Sequence, residues 1–146
     1  MERDLQIHSQ DVSRLRQELV HVVEFFSGKG CERCDVLFGW AWRTSSNNSG
    51  LAWRSLEIPL LKLVDEIHEA ERAGLGDFAG DDVFVSFAGC DLKLQFCHDS
   101  GIHLFHSEPN ETTQHFLDRW QAAGLSPAEF EKADGSSLWQ RTGPGG

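Results

Sequence analysis

The stretch VFVSFAGCDLKLQFCHDSGIHLF, residues 83–105, decides the fold of this chain. Apolar residues alternate with other residues in three short runs, and a period of two is typical of β-strands. The runs are separated by residues 89–91 and 99–101, and both connections are too short to hold a crossover helix. The pattern therefore predicts three strands in an antiparallel meander.

The residues before the meander predict a strand, two helices and a hairpin. Leu5 and Ile7 indicate a short first strand, and apolar residues at three- and four-residue spacing predict a helix over 12–26. Residues 36–42 alternate like a strand, and a Ser- and Asn-rich loop joins them to a strand over 51–55. A second apolar stripe predicts a helix from Pro59 to Gly74. The predicted hairpin over residues 36–55 carries three tryptophans, Trp40, Trp42 and Trp53. These side chains form either a face of the core or a binding surface.

Two further helices are predicted after the meander. One follows Pro109, and Ser126-Pro127-Ala128-Glu129 has the pattern of a capping box for a last short helix through Phe130. We therefore expect an α+β fold, with a mostly antiparallel sheet (hairpin plus three-stranded meander) and helices packed on one face. Residues 1–146 are expected to form a single domain, with a flexible tail over 135–146.

The net charge of −10 is the main bulk feature of the chain. Residues 1–56 balance to zero, whereas residues 57–82 carry −6 and residues 83–146 carry −4. Such a field repels phosphate, so nucleic acids and anionic membranes are disfavoured as partners. A basic protein partner is favoured instead, although acidity can also serve solubility alone.

The acidic helix and the loop after it are the predicted partner-binding region. Its residues are Asp65, Glu66, Glu69, Glu71, Asp77, Asp81 and Asp82. By size and charge, without any shared motif, the chain is similar to small acidic bacterial immunity proteins that inhibit toxins. This favours a cytoplasmic, cofactor-free binding protein rather than an enzyme, since no secretory signal, membrane span or catalytic motif is present.

A cluster rich in histidine supports an alternative hypothesis. Imidazole, thiolate and carboxylate groups are zinc ligands, so a small metal-binding protein or metal-dependent enzyme could use the His98–His115 cluster. The competing interpretation is that these histidines are solvent-exposed side chains at a sheet edge and bind no metal. The candidate metal residues are His98, His103, His106 and Cys97.

Cys31 and Cys34 form the other motif with possible chemistry. A redox pair should follow a strand and open a helix, but this pair follows a helix and precedes a strand. A four-cysteine zinc site would need Cys90 and Cys97, whose spacing is loose. We therefore expect reduced thiols.

Overall fold

The computed structural model describes residues 2–39 and 54–132, which contain three α-helices and one seven-stranded sheet. Neighbouring strands of this sheet are all antiparallel, so the predicted α+β fold with a mostly antiparallel sheet is confirmed. In chain order the elements are β1 (Glu2–His8), α1 (Val12–Gly28), β2 (Arg33–Phe38), β3 (Arg54–Pro59), a 3₁₀ helix (Leu60–Lys62), α2 (Leu63–Arg72), β4 (Val83–Ser86), β5 (Lys93–Phe96), β6 (Gly101–His106), α3 (Glu111–Ala122) and β7 (Ala128–Lys132). Across the sheet the order is β3-β2-β4-β5-β6-β1-β7.

The predicted meander is present as β4, β5 and β6. Val85 lies opposite Leu94, and Leu94 lies opposite Leu104. The predicted hairpin strands also pair, since Val36 of β2 lies opposite Leu56 of β3. β1 inserts between β6 and β7, which brings the first strand of the chain beside the last two.

The last helix predicted from the capping-box pattern is wrong, because Ala128–Lys132 forms the strand β7. This strand pairs with β1, where Leu5 lies opposite Glu129. Ser126 has a φ of 50°, a left-handed conformation that a helix N-cap does not adopt. The free edge of β1 offers backbone partners to the whole segment, whereas a helix this short is marginal by itself.

The second helix begins later than its proline suggested. Pro59 ends β3, and the regular helix α2 starts only at Leu63, after the 3₁₀ turn. β3 is the edge strand of the described sheet, where a residue without an N–H is tolerated.

The hydrophobic core combines the stripe of α1 with alternate residues of the strands. Buried apolar residues of α1 run from Leu15 to Phe26, as the spacing predicted, but Val12 of the same stripe is exposed and the charged Glu18 is buried. The ring of Phe26 stacks on Phe87, with 4.0 Å between their centroids. From α3, Phe116 and Trp120 are also buried in this core.

Polar side chains connect the three helices. Arg16 of α1 donates two hydrogen bonds to Glu71 of α2. Glu18 of α1 accepts hydrogen bonds from Arg119 and Trp120 of α3. α1 therefore contacts both other helices, while the packing of all helices on one face of the sheet stays a prediction.

Alternate residues of β1 divide between two faces of the sheet. Leu5 belongs to the hydrophobic core, whereas Asp4, Gln6 and His8 fall on the opposite face. His103 of β6 lies on this opposite face as well, because its antiparallel neighbour is Gln6.

Several predictions fall outside the described residues. They concern the tryptophan face, the hairpin loop and the tail, that is Trp40, Trp42, Trp53, residues 44–50 and residues 135–146. Within the described part of the chain, no helix combines the length and the apolar character needed to span a membrane.

Candidate metal site

Two histidines and an aspartate meet on the sheet face opposite the core. His8 ends β1, His103 lies on β6, and Asp99 lies in the turn between β5 and β6. One ligand atom from each lies within 4.8 Å of the other two. His8 Nε2 is 3.3 Å from Asp99 Oδ2. We call these three residues the His8 site.

A buried carboxylate orients one of these histidines. His103 Nδ1 lies 3.1 Å from Asp4 Oδ1 and 3.0 Å from Asp4 Oδ2. Asp4 is 0% exposed and His103 is 6% exposed. Because a carboxylate accepts hydrogen bonds, His103 donates through Nδ1, and in the neutral imidazole Nε2 is then the nitrogen with a lone pair. This is the arrangement by which proteins orient a histidine that binds a metal.

A glycine makes room for the other two ligands. Gly101 is the antiparallel neighbour of His8. A Cβ atom at residue 101 would lie 2.8 Å from His8 Nε2 and 2.9 Å from Asp99 Oδ1. The imidazole and the carboxylate therefore occupy the space of the missing side chain, and they approach each other over the glycine.

The turn that carries Asp99 is tied to the end of β1. Ser100 has a φ of 63°, which is uncommon for a residue with a side chain. Its carbonyl accepts the N–H of Ser9 at 3.1 Å, and its own N–H donates to the carbonyl of Cys97 at 3.2 Å. These bonds hold the turn beside His8.

The charge of Asp99 suits a cation. Burial raises the pKa of Asp99, but the hydrogen bond from Cys97 and the nearby His8 and His103 outweigh it, so the pKa lies below its ordinary value. The carboxylate is therefore anionic at neutral pH. Around a tetrahedral zinc ion, nitrogen and oxygen ligands stand about 3.4 Å apart, given metal bonds of about 2.1 Å. The 3.3 Å between His8 and Asp99 is close to that separation.

A second group of ligand atoms is formed by Asp82, Cys97 and His98, which we call the Cys97 site. Its oxygen, sulfur and nitrogen atoms lie within 4.8 Å of one another. His98 Nδ1 is 2.9 Å from Asp82 Oδ1 and 3.7 Å from Cys97 Sγ. The side chain of His98 is 51% exposed, whereas that of Asp82 is 1% exposed. The site is thus open to solvent on the histidine side.

The Cys97 site is not a nucleophile, base and carboxylate in series. Such a relay needs the carboxylate on one imidazole nitrogen and the nucleophile on the other. Here Asp82 and Cys97 both approach Nδ1 of His98. Burial also raises the pKa of the Cys97 thiol to about 12, so the sulfur stays protonated.

Two histidines of the predicted cluster lie elsewhere. His106 falls on the core side of β6, opposite to His103, and its Nε2 is 3.0 Å from Glu129 Oε1. His115 lies on α3, with its Nε2 2.8 Å from Nε2 of His21 on α1. The predicted metal residues that do lie at the β5–β6 turn are Cys97, His98 and His103.

The predicted acidic residues divide between internal contacts and the surface. Glu71 binds Arg16 at 3.0 and 2.6 Å, and these bonds outweigh the effect of burial, so the pKa of Glu71 is lowered. Asp82 is buried in the Cys97 site. Asp81 accepts the N–H of Asp77 at 2.7 Å and so closes their loop. The side chains of Glu71, Asp81 and Asp82 thus make internal contacts, whereas the side chain of Asp77 is exposed.

The outer face of α2 keeps three of the predicted acids. Asp65 and Glu69 are exposed, and Glu66 is half-buried. Glu69 also pairs with Arg72 on the surface. Glu66 and Glu69 border a cleft of about 310 Å³ whose other lining residues are apolar, namely Phe38, Ala70, Ala73 and Leu75.

The four cysteines are free thiols, in agreement with the sequence prediction. Burial raises the pKa of Cys34 to about 11. Neither Cys31 nor Cys34 belongs to a group of metal ligands among the described residues.

The sequence did not predict His8, Asp4 and Gly101 as parts of a metal site. The available signal was the alternation in β1, which places Asp4 and His8 on the face opposite Leu5. That signal does not say which strand lies beside β1.

The structure thus defines an α+β protein with a mostly antiparallel sheet and, among the described residues, two groups of side chains beside one turn whose geometry could hold a metal ion. No protein-family model, no curated protein and no solved structure matches this chain.

Proposed function

We propose that this chain is a metal-binding protein, and that it holds one divalent transition-metal ion of the zinc class at the His8 site. The observation that supports this most is the buried Asp4 carboxylate on Nδ1 of His103, because the ring can then offer Nε2 to an ion. One ligand atom of His103 lies within 4.8 Å of ligand atoms of His8 and Asp99. Two imidazoles and one carboxylate are the ligand set of zinc sites with an open position, and also of non-haem iron sites.

Charge and access support a cation at this place. The net charge of −10 attracts cations toward the protein surface. The side chains of His8 and Asp99 are 45% and 51% exposed, so an ion can enter from solvent. Three protein ligands leave a fourth position for water or another ligand.

Calorimetric titration with zinc tests the proposal. Wild-type protein should bind zinc, and His8→Ala should weaken the affinity by roughly a hundredfold or more, since a ligand is lost. The matched control is His68→Ala, because His68 is an exposed histidine on α2. Its zinc affinity should equal that of the wild type.

Two results would contradict the proposal. Equal zinc affinity of wild-type protein and His8→Ala would show that the ion binds elsewhere. A wild-type titration without any binding at millimolar zinc would exclude the metal site altogether.

We also propose, as a second candidate, that α2 binds a basic protein partner, for example a toxin that the chain inhibits as an immunity protein does. The cleft bordered by Glu66 and Glu69 suits the apolar stem and charged end of a lysine or arginine. Capture of such a partner should weaken steeply with salt, and reversal of Asp65, Glu66 and Glu69 to lysine should abolish it. Capture that is indifferent to salt would contradict this candidate.

A further inference from the structure

We infer that the Cys97 site binds a second metal ion, one that prefers sulfur ligands, beside the ion proposed for the His8 site. The site offers one sulfur, one imidazole nitrogen and one carboxylate oxygen. Thiolate ligands select zinc, cadmium and similar ions over magnesium and calcium. The two sites therefore differ in the metals that they favour.

Two separations within the Cys97 site can be compared with those around one tetrahedral ion. With metal bonds of about 2.1 Å to nitrogen and oxygen and about 2.3 Å to sulfur, tetrahedral geometry places nitrogen about 3.4 Å from oxygen and about 3.6 Å from sulfur. The corresponding distances from His98 Nδ1 are 2.9 Å to Asp82 Oδ1 and 3.7 Å to Cys97 Sγ. An ion needs only small shifts of these side chains to take the place of the hydrogen between Nδ1 and Oδ1.

The carboxylate of the site is held in position from within the protein. Asp82 Oδ1 accepts the backbone N–H of His98 at 2.8 Å and contacts Nε2 of Gln95 at 3.4 Å. Gln95 is 1% exposed, and within residues 2–39 and 54–132 its Oε1 has no hydrogen-bond partner. A buried acceptor of this kind calls for a donor, and a water molecule bound to the ion supplies one.

Binding exchanges a proton for the ion. The Sγ–H bond of Cys97 breaks, the Sγ–metal bond forms, and that proton leaves to solvent. The ring of His98 binds the ion through Nδ1 and carries its hydrogen on Nε2 instead, so no oxidant or reductant is needed. Asp99 then loses the hydrogen bond from Cys97 and keeps its contact with His8.

Titration with Co²⁺, followed by absorbance, tests this inference because cobalt bound to thiolate shows a charge-transfer band. Wild-type protein should take up two equivalents, one of which produces the band. Cys97→Ser should take up one equivalent without the band, and His98→Ala, altered at an exposed side chain, should lose the band as well. The control Cys31→Ser should behave like the wild type.

The outcomes separate this inference from the proposed function. His8→Ala should lose one equivalent of cobalt and keep the band. One equivalent without a band in wild-type protein would overturn the second site and leave the His8 site standing. A band that persists in Cys97→Ser would also overturn the second site, because another thiol would then be the ligand.

Discussion

The imidazole of His8 lies directly against the backbone of Gly101. A Cβ atom at residue 101 would come within 2.8 Å of His8 Nε2 and within 2.9 Å of Asp99 Oδ1. His8 and Gly101 belong to adjacent strands. Because residue 101 has no side chain, the imidazole of His8 on β1 can reach the carboxylate of Asp99 in the β5–β6 turn. The missing side chain is therefore a structural requirement of the His8 site.

Gly101→Ala should weaken zinc binding by about tenfold or more, because the methyl group must push His8 and Asp99 apart. Calorimetry with zinc measures the change. Gly28→Ala is the matched control, since a Cβ atom there would meet nothing within 4 Å. If both variants bind zinc as the wild type does, the geometry of the site does not depend on this glycine.

Asp4→Asn should lower zinc affinity by about 10- to 100-fold, the usual effect of altering the partner of a metal-binding histidine. An asparagine accepts the hydrogen bond from His103 less strongly than a carboxylate does. Circular dichroism at the titration temperature establishes that the variant is folded. Unchanged affinity in folded Asp4→Asn would contradict the orienting role of Asp4.

Glu18→Ala should reduce the free energy of unfolding by about 2 to 4 kcal/mol, because the buried N–H of Trp120 and the half-buried guanidinium of Arg119 both lose their acceptor. Glu18 accepts from Arg119 Nε and Nη2 at 2.9 Å each and from Trp120 Nε1 at 2.8 Å. Urea unfolding measures the loss. Glu24→Ala, at an exposed position of the same helix, should change stability by no more than about 0.5 kcal/mol. Equal losses in the two variants would show that the buried network contributes little.

Stability should fall on acidification below pH 6.5 because burial lowers the pKa of His21 and His115. Burial, with Arg119 nearby, lowers the pKa of both imidazoles from the ordinary value of 6.5, although Glu18, Glu24 and Asp118 act in the opposite direction. The unfolded chain therefore binds protons that the folded protein does not. This contribution to stability is fully present above pH 6.5 and is lost as the pH falls below it.

Urea unfolding at about pH 7.5 and about pH 5.5 measures this effect, with His115→Phe as the test variant. The variant should lose less stability than the wild type between the two conditions, because one of the two imidazoles with a lowered pKa is gone. His68→Gln, altered at an exposed histidine, should follow the wild type. The same loss of stability in wild-type protein and His115→Phe would contradict the prediction.

Local patterns predicted most of the fold and failed where pairing is distant. The alternation and short turns over 83–105 were sufficient for the meander, because both the strands and their connections are local. The segment after Ser126 has helical capping residues, yet it pairs with β1 at the other end of the chain. Local propensity could not include that partner.

The candidate site was predictable only in part for the same reason. Cys97, His98 and His103 are close in sequence, and cysteine and histidine are common metal ligands. A metal site at these residues was therefore predictable from the sequence. His8 lies 91 positions from Asp99, and only the pairing of β1 with β6 brings it to the turn. His106 was a candidate ligand together with His103, but the alternation of β6 places it on the other face of the sheet.

The location of the bound ion tests the proposed His8 site most directly. Crystals of the wild-type protein equilibrated with zinc should show an anomalous-scattering peak about 2.0 to 2.2 Å from one nitrogen of His8, Nε2 of His103 and one carboxylate oxygen of Asp99. A zinc-saturated crystal with no peak among these three side chains would contradict the central claim that the His8 site is a metal site.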